Sequence, residues 1–164
     1  MTTKQEKARH LLAVARDIAA AVEHCFLTTN TPSGWPRTRL MQPFPLEDDF
    51  TIWFGASPRS RKAAEIARDH RATVAFGDAH RGAYVALSGA AAVDHELDQR
   101  LKYWRPEFSR FWPSGPDGAD YVLIRFKPSR IELMDLERQV APTPFGLKPA
   151  VLVLTGDGWE LEEE

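Results

Sequence analysis

The stretch "SPRSRK" (residues 57–62) places Arg59, Arg61 and Lys62 where the following pattern, "AAEIARDH", opens a helix. Ser57 followed by Pro58 reads as an N-cap with proline at the first helical position, where its missing N–H costs nothing. The first turn of a helix carries roughly half a positive charge on its unpaired N–H groups, so each cation there costs about 0.3 to 1 kcal/mol unless an anion sits among them. Exposed amides, the Ser60 hydroxyl and three cations form a donor set suited to phosphate; the plainer alternative is a solvated basic turn. Upstream, "GWPRTRLMQPF" (34–44) reads as a strand with Arg37, Arg39 and Met41 on one face and Thr38, Leu40 and Gln42 on the other. Two guanidiniums at period two make a second grip on phosphate, although an exposed strand made soluble by charge has the same spacing. "FTIWFGA" (50–56) brings Trp53 and Phe54 to the cationic turn, so aromatic surface and anion donors lie within a few residues.

A flat ring with a phosphate tail fits such a place. Flavin mononucleotide (FMN) is one such molecule, and pyridoxal phosphate is a smaller one. Other chemistries find little support. His24 and Cys25 are neighbours in a strand and point to opposite faces, while His10, His70, His80 and His95 show no ligand spacing, so no metal site is expected. Ser88 in "ALSGA" lacks the leading glycine of a nucleophile elbow, and neither a G-x-G-x-x-G nor a P-loop occurs. No catalytic side chain is singled out.

The elements that must carry these residues are short. Residues 4 to 23 place Leu11, Ala15, Ile18 and Val22 on one helical face, so an N-terminal helix is expected within 1–24. "HCFLTTNT" and "RTRLMQPF" read as a hairpin across the turn "PSGWP"; "DDFTIWFGA", "RATVAFGD" and "GAYVALSGAAAV" are further strands. The helical "ELDQRLKYW" leads into the loop "RPEFSRFWPSGPDG", then a long strand region, "DYVLIRFKPSRIELMDLE", is expected to break at Pro128. A terminal hairpin turns at Gly156-Asp157-Gly158, and "RQVAPTPFGLKPA" (138–150) is a candidate exposed arm. Few helices are available as crossovers, so the sheet is expected to be antiparallel, and six or seven strands favour a barrel.

The chain has 164 residues, 43% hydrophobic and 27% charged, which bounds it to one ordinary globular domain over 1–164, with 138–164 an extension of unassigned packing. A net charge of −2 argues against bulk nucleic acid or an anionic membrane as partner. No apolar run has the length of a bilayer span, the start "MTTKQEKARH" lacks a signal-peptide core, and Cys25 is the single cysteine, so a cytoplasmic location is expected.

In this order and spacing, "GWPRTRLM", "FTIWFGASPRSRKAAEIARDHRATVAF", "YVALSGAAAV" and "WPSGPDGADYVLIRFKPSRIELMD" resemble the pyridoxamine 5'-phosphate oxidase-like flavoproteins, in particular their general stress protein branch. The resemblance spans residues 5 to about 137 and implies a mainly β fold, a split β-barrel with a few flanking helices, forming a homodimer with FMN at the subunit interface. It implies Arg39 near the FMN phosphate, backbone of Leu40 and Met41 against the isoalloxazine, and Ser60, Arg61 and Lys62 as the S-R-K phosphate grip. Phe54 and Gly55 stand where the oxidases carry an aromatic followed by threonine, so one hydroxyl contact is missing. Tyr84 replaces a glutamine that touches the flavin. Trp104 and Trp112 bracket a loop; they either pack across the dimer or barrel mouth, or one of them covers the partner's flavin, with Trp112 among the candidate flavin contacts, and Arg105, Arg110 and Asp117 of that loop are candidates to touch a substrate. The oxidases' C-terminal tryptophan and arginine segment has no counterpart, so pyridoxamine phosphate oxidation is not implied. The function so implied is a flavin-dependent oxidoreductase served by a reduced nicotinamide or deazaflavin donor; the alternative is a protein that binds or sequesters a flavin or another phosphorylated ligand without turnover.

Overall fold

The fold is that of a computed structural model describing residues 3–140 and 148–162. In chain order the elements are α1 (Lys4–Ala20), β1 (Cys25–Asn30), β2 (Pro36–Met41), β3 (Ile52–Ala56), α2 (Arg61–Arg68), β4 (Arg71–Asp78), β5 (Ala83–Asp94), α3 (Leu97–Tyr103), a 3-10 turn (Pro106–Arg110), β6 (Val122–Asp135), β7 (Ala150–Thr155) and β8 (Gly158–Leu161). The sheet runs β2-β1-β4-β5-β6-β7-β8, with β3 also paired to β6, and every pairing is antiparallel.

β6 is the branch point. One edge pairs with β5 along its length, while the other pairs with β3 at residues 122–126 and with β7 at residues 130–133. This split lets a single sheet close into a split β-barrel. Eight strands exceed the expected six or seven, because the C-terminal hairpin joins the same sheet through β7. The expected break at Pro128 does not occur. Proline lacks the N–H of a regular ladder, and the register instead shifts between Ser88 and Gly89, with Pro128 opposite Gly89. A Cβ on Gly89 would stand 2.1 Å from the Lys127 carbonyl oxygen, so only glycine allows this approach.

α1 begins at a capping box, with Glu6 N–H donating to Thr3 Oγ1 at 3.1 Å and Thr3 N–H to Glu6 Oε2 at 2.6 Å. It buries Leu11, Val14, Ala15 and Ile18 against the barrel and stops at Ala20, short of residue 24, because the chain must straighten into β1; Val22 is half-buried beyond its end. Most of the arm expected over 138–150 lies outside the described residues, but beyond it β7 and β8 close back onto β6 and α1. Among the described residues no helix is long and apolar enough to cross a membrane.

The barrel core holds Leu27, Phe54, Phe76, Leu87, Phe126 and Ile131. A separate aromatic cluster packs on the other side of β3, where Phe44, Trp53, Tyr121 and Leu123 are buried beneath Tyr103, Trp104, Phe108 and Trp112.

Candidate functional site

The cationic helix start exists, three residues later than expected. Pro58 sits in a tight turn, with Ser60 N–H donating to the Ser57 carbonyl at 3.1 Å and Arg59 N–H to Ser57 Oγ at 3.2 Å. Ser60 is therefore the N-cap, and its Oγ accepts from Ala63 N–H at 3.3 Å. Arg61 and Lys62 become the first two helical residues, Arg59 precedes the cap, and no acidic residue occupies the first turn.

β2 supplies the facing wall. Its residues pair Arg37 with Thr29, Arg39 with Leu27 and Met41 with Cys25, all buried on β1, so Arg37, Arg39 and Met41 share the inward face. Between these strands and α2 lies Glu65, 4% exposed. It accepts from Thr29 Oγ1 at 2.6 Å and from Arg39 Nη2 at 2.9 Å, and it is paired with Arg37. Burial alone would raise the Glu65 pKa, but the hydrogen bonds from Thr29 and Arg39 and the charges of Arg37 and Arg39 outweigh it and hold the carboxyl below its ordinary range. Sequence reasoning passed over Glu65. Its signal was available: between Ala63 and Ile66 it falls on the helix face that packs inward, and a carboxylate there requires a cation.

Arg39 also donates to the Leu27 carbonyl at 3.2 Å and to Thr29 Oγ1 at 2.6 Å, so three of its five N–H donors are used and two remain. Lys62 is half-buried and has no carboxylate partner among the described residues. Desolvation first, and then the charge of Arg39, push its pKa down. Lys62 thus lies within the field of Arg39 while Glu65 is already shared between the two strand arginines, leaving a surplus of positive charge at the helix start.

Further along β2, Met41 borders a cavity of about 130 Å³ with Gly55, Phe44, Arg105, Phe111 and Trp112. Met41 lies two residues from Arg39 on the same face, roughly 7 Å away along the strand. A Cβ on Gly55 would stand 3.1 Å from Trp112 Cη2 and 3.3 Å from Tyr121 Cε2, so the space of the missing side chain is taken by rings. Within one chain the remaining candidates lie apart. Phe54 is wholly buried in the barrel, which leaves only its backbone for a ligand. Leu40 is 58% exposed on the opposite face of the sheet, beside Phe26 at 51%. Tyr84 is on that opposite face too, donating to Glu132 Oε1 at 2.8 Å, and burial with this bond pushes its pKa up to about 12. Burial likewise pushes the Cys25 thiol up to about 12, which makes it a poor nucleophile.

The geometry meets known proteins at this point. Residues 10–156 match the family described as pyridoxamine 5'-phosphate oxidase like. General stress protein 26 of Bacillus subtilis (strain 168) is 30% identical over 105 residues, which make up 62% of this chain and 73% of that protein. Among solved structures, general stress protein 26 from Bacillus anthracis str. Sterne superposes with a TM-score of 0.66 at 23% identity, covering 76% of this chain and 94% of that one. A pyridoxamine 5'-phosphate oxidase-related, FMN binding protein from Nostoc punctiforme PCC 73102 gives 0.64 at 17% identity over 95% and 97% of the two chains. At these identities the two structures speak for the fold.

Proposed function

The chain belongs to the pyridoxamine 5'-phosphate oxidase-like family, and on that premise we propose that it binds FMN and serves as a flavin-dependent oxidoreductase. The observation that carries the reading is Lys62, half-buried beside the Ser60-capped helix start with no carboxylate partner among the described residues and in the field of Arg39, whose Glu65 is already shared with Arg37. The residues fit a phosphate dianion: two N–H groups of Arg39, the Lys62 ammonium, the Arg61 guanidinium, the Ser60 O–H and the first amides of α2. Bound there, FMN would supply hydride and single-electron chemistry. The chain's own part is to hold the phosphate, to offer the backbone of Leu40 and Met41 beside the ring, and to shield one side of it with Trp112.

A pocket of about 130 Å³ is small for this task, since sites for ligands of drug size enclose roughly 300 to 1,000 Å³. One chain therefore supplies part of the ring site. The exposed pair Phe26 and Leu40, flanked on the same sheet face by Ala75 and Ala86, suits a self-complementary contact with a second copy. Reduced nicotinamide or a reduced deazaflavin is the donor class for such a site, in the cytoplasm.

A second reading, a protein that holds flavin without turnover, is favoured by Gly55: no hydroxyl is offered to the ring, and the space is closed by Trp112. One set of measurements separates the readings. The purified protein should be yellow, gain thermal stability with FMN and elute as a dimer. A nicotinamide or deazaflavin donor should bleach it faster than free FMN. Bleaching at the rate of free FMN removes the enzyme, and a colourless protein indifferent to FMN removes both.

A further inference from the structure

A cavity of about 400 Å³ adjoins the pocket of Met41, Gly55 and Trp112. Its apolar walls are Val22, Phe44, Leu46 and Phe76, and Arg105 borders both spaces. Two guanidiniums line it, and they differ in what they have left to give. Arg16 donates to the carbonyls of Glu47 at 3.1 Å and Asp48 at 2.9 Å and stands 4.4 Å over the Phe50 ring, so it is committed to holding that segment. Arg105 rests on the Phe44 ring at 5.0 Å and near the Phe108 ring at 6.0 Å, and its N–H groups meet no acceptor among the described residues. Glu23, the carboxylate lining this cavity, is exposed and accepts instead from Gln42 Nε2 at 3.3 Å. Arg110, on the same loop, lies out over the exposed Phe111 ring and borders neither space.

A guanidinium stacked on aromatic faces keeps its orientation and presents its edge to a ligand, and a planar carboxylate is the group that edge matches. We propose that Arg105 anchors the anionic end of the substrate: the cavity takes a small carboxylate with an apolar, flat body lying along Phe44 and Phe76, and holds it beside the ring pocket. The role as a substrate site rests on the flavin reading above, whereas the binding of such an anion does not.

Calorimetric titrations with benzoate and its neutral isostere benzamide, with and without FMN, test this. Benzoate should bind the unaltered protein about tenfold or more tighter than benzamide, the value of a charge-assisted pair. Arg105→Met should bring benzoate down to the benzamide level, Arg105→Lys should keep part of the preference, and Arg110→Met should keep all of it. Equal affinities for the two probes in the unaltered protein, no benzoate binding at all, or a preference that survives Arg105→Met overturns the anchor. If Arg105→Met fails to fold, the ratio in the unaltered protein and the Arg105→Lys variant still decide. A protein that discriminates benzoate through Arg105 but binds no FMN overturns the flavin reading and leaves the anion site standing. One that binds FMN without discriminating overturns the anion site alone.

Discussion

Two regions border the candidate site, and polar bonds and ring packing share the work of holding them in different proportions. The cradle of β1, β2 and α2 is tied by polar bonds: Glu65 to Thr29, Arg37 and Arg39, and Arg68 Nη2 to the carbonyls of Asn30 at 2.9 Å and Thr31 at 2.6 Å. The wall of β3, α3 and the loop through Trp112 is tied mainly by rings, with Trp53 stacked on Tyr103 at 5.3 Å, Trp104 edge-on to Tyr121 at 5.1 Å and Trp112 tilted over Tyr121 at 4.9 Å. Fewer polar bonds assist: Glu47 accepts from Trp53 Nε1 at 3.0 Å and from the Tyr103 O–H at 2.6 Å, and Arg100 Nη1 donates to the carbonyls of Gly118 at 3.0 Å and Tyr121 at 3.3 Å. Directional bonds fix the cradle for one charged group. Ring packing is less directional and more forgiving of shape, so under the proposed FMN reading the cradle would specify the anion and the aromatic wall would tolerate variation in the ligand's body.

The heaviest blow to this contrast falls on the cradle. Arg61→Ala with Lys62→Ala should weaken FMN binding by about 3 to 6 kcal/mol, at roughly 1.5 to 3 for each charge-assisted bond, with little change in urea stability since neither side chain has a carboxylate partner among the described residues. Affinity of the unaltered protein should also fall as pH drops through about 6, where a phosphomonoester takes up its second proton, and this dependence should flatten in the double variant. Fluorescence titration of FMN across that range measures both, and an unchanged affinity in the double variant sinks the cradle.

Glu65→Ala comes next and acts on the fold. It leaves Thr29 and two partly exposed guanidiniums without their shared acceptor, with an expected loss of about 2 to 4 kcal/mol in urea unfolding. That is less than a fully buried pair would lose, because Arg37 is 38% exposed and Arg39 20%. The Glu65 pKa is lower in the folded chain than its ordinary value of 4.5, so its stabilisation is present above that value and is lost as pH falls through the lower folded value. Glu65→Gln should therefore flatten the acid limb of the stability curve; an acid limb unchanged in that variant would mean that Glu65 does not tie the helix to the strands.

What the chain disclosed by pattern follows the same division. The period-two face of Arg37, Arg39 and Met41 and the cations at the helix start were legible because strand alternation and helix capping are local rules. The start itself shifted from Ser57 to Ser60 because Pro58 serves equally well inside a turn, and only the bond from Ala63 N–H shows which serine caps. Glu65 between two strand arginines, Trp112 over Gly55 and the free edge of Arg105 depend on contacts between residues far apart in the chain, which no local rule reports. The family resemblance implies Tyr84 against the flavin; its place on the face opposite Arg39 depends on the register across β1, β4 and β5, and its bond to Glu132 on β6, neither of which a local rule reports.

Gly55 tests the aromatic wall at intermediate size. Gly55→Thr restores the hydroxyl of the oxidases, yet its Cβ meets Trp112 and Tyr121 at 3.1 and 3.3 Å, so about 1 to 3 kcal/mol of overpacking is expected in thermal or urea unfolding. Pairing it with Trp112→Ala should recover much of that loss, a coupling of at least about 0.5 kcal/mol in the double-mutant cycle. Additive effects would mean that the indole is not what fills the glycine's space.

The smallest expected effect separates the regions most finely. In the cradle the buried carboxylate is fully engaged, whereas the wall buries the Tyr121 hydroxyl with no hydrogen-bond partner among the described residues, a condition it shares with Arg100 Nε and Asp120 Oδ1. Burial pushes the Tyr121 pKa up to about 12 against the opposing charge of Arg100, so the phenol is neutral at any physiological pH and offers only an O–H to a partner. An unbonded hydroxyl costs its desolvation and returns nothing, so Tyr121→Phe, which keeps the ring contacts with Trp104 and Trp112, should stabilise the chain by about 1 kcal/mol or less, a rise of roughly 2 to 4 °C in Tm. A fall in Tm of similar size would reveal an internal water bonded to the Tyr121 hydroxyl. A further polar tie would then join those of Glu47 and Arg100 in the wall, and the contrast between the two regions would narrow.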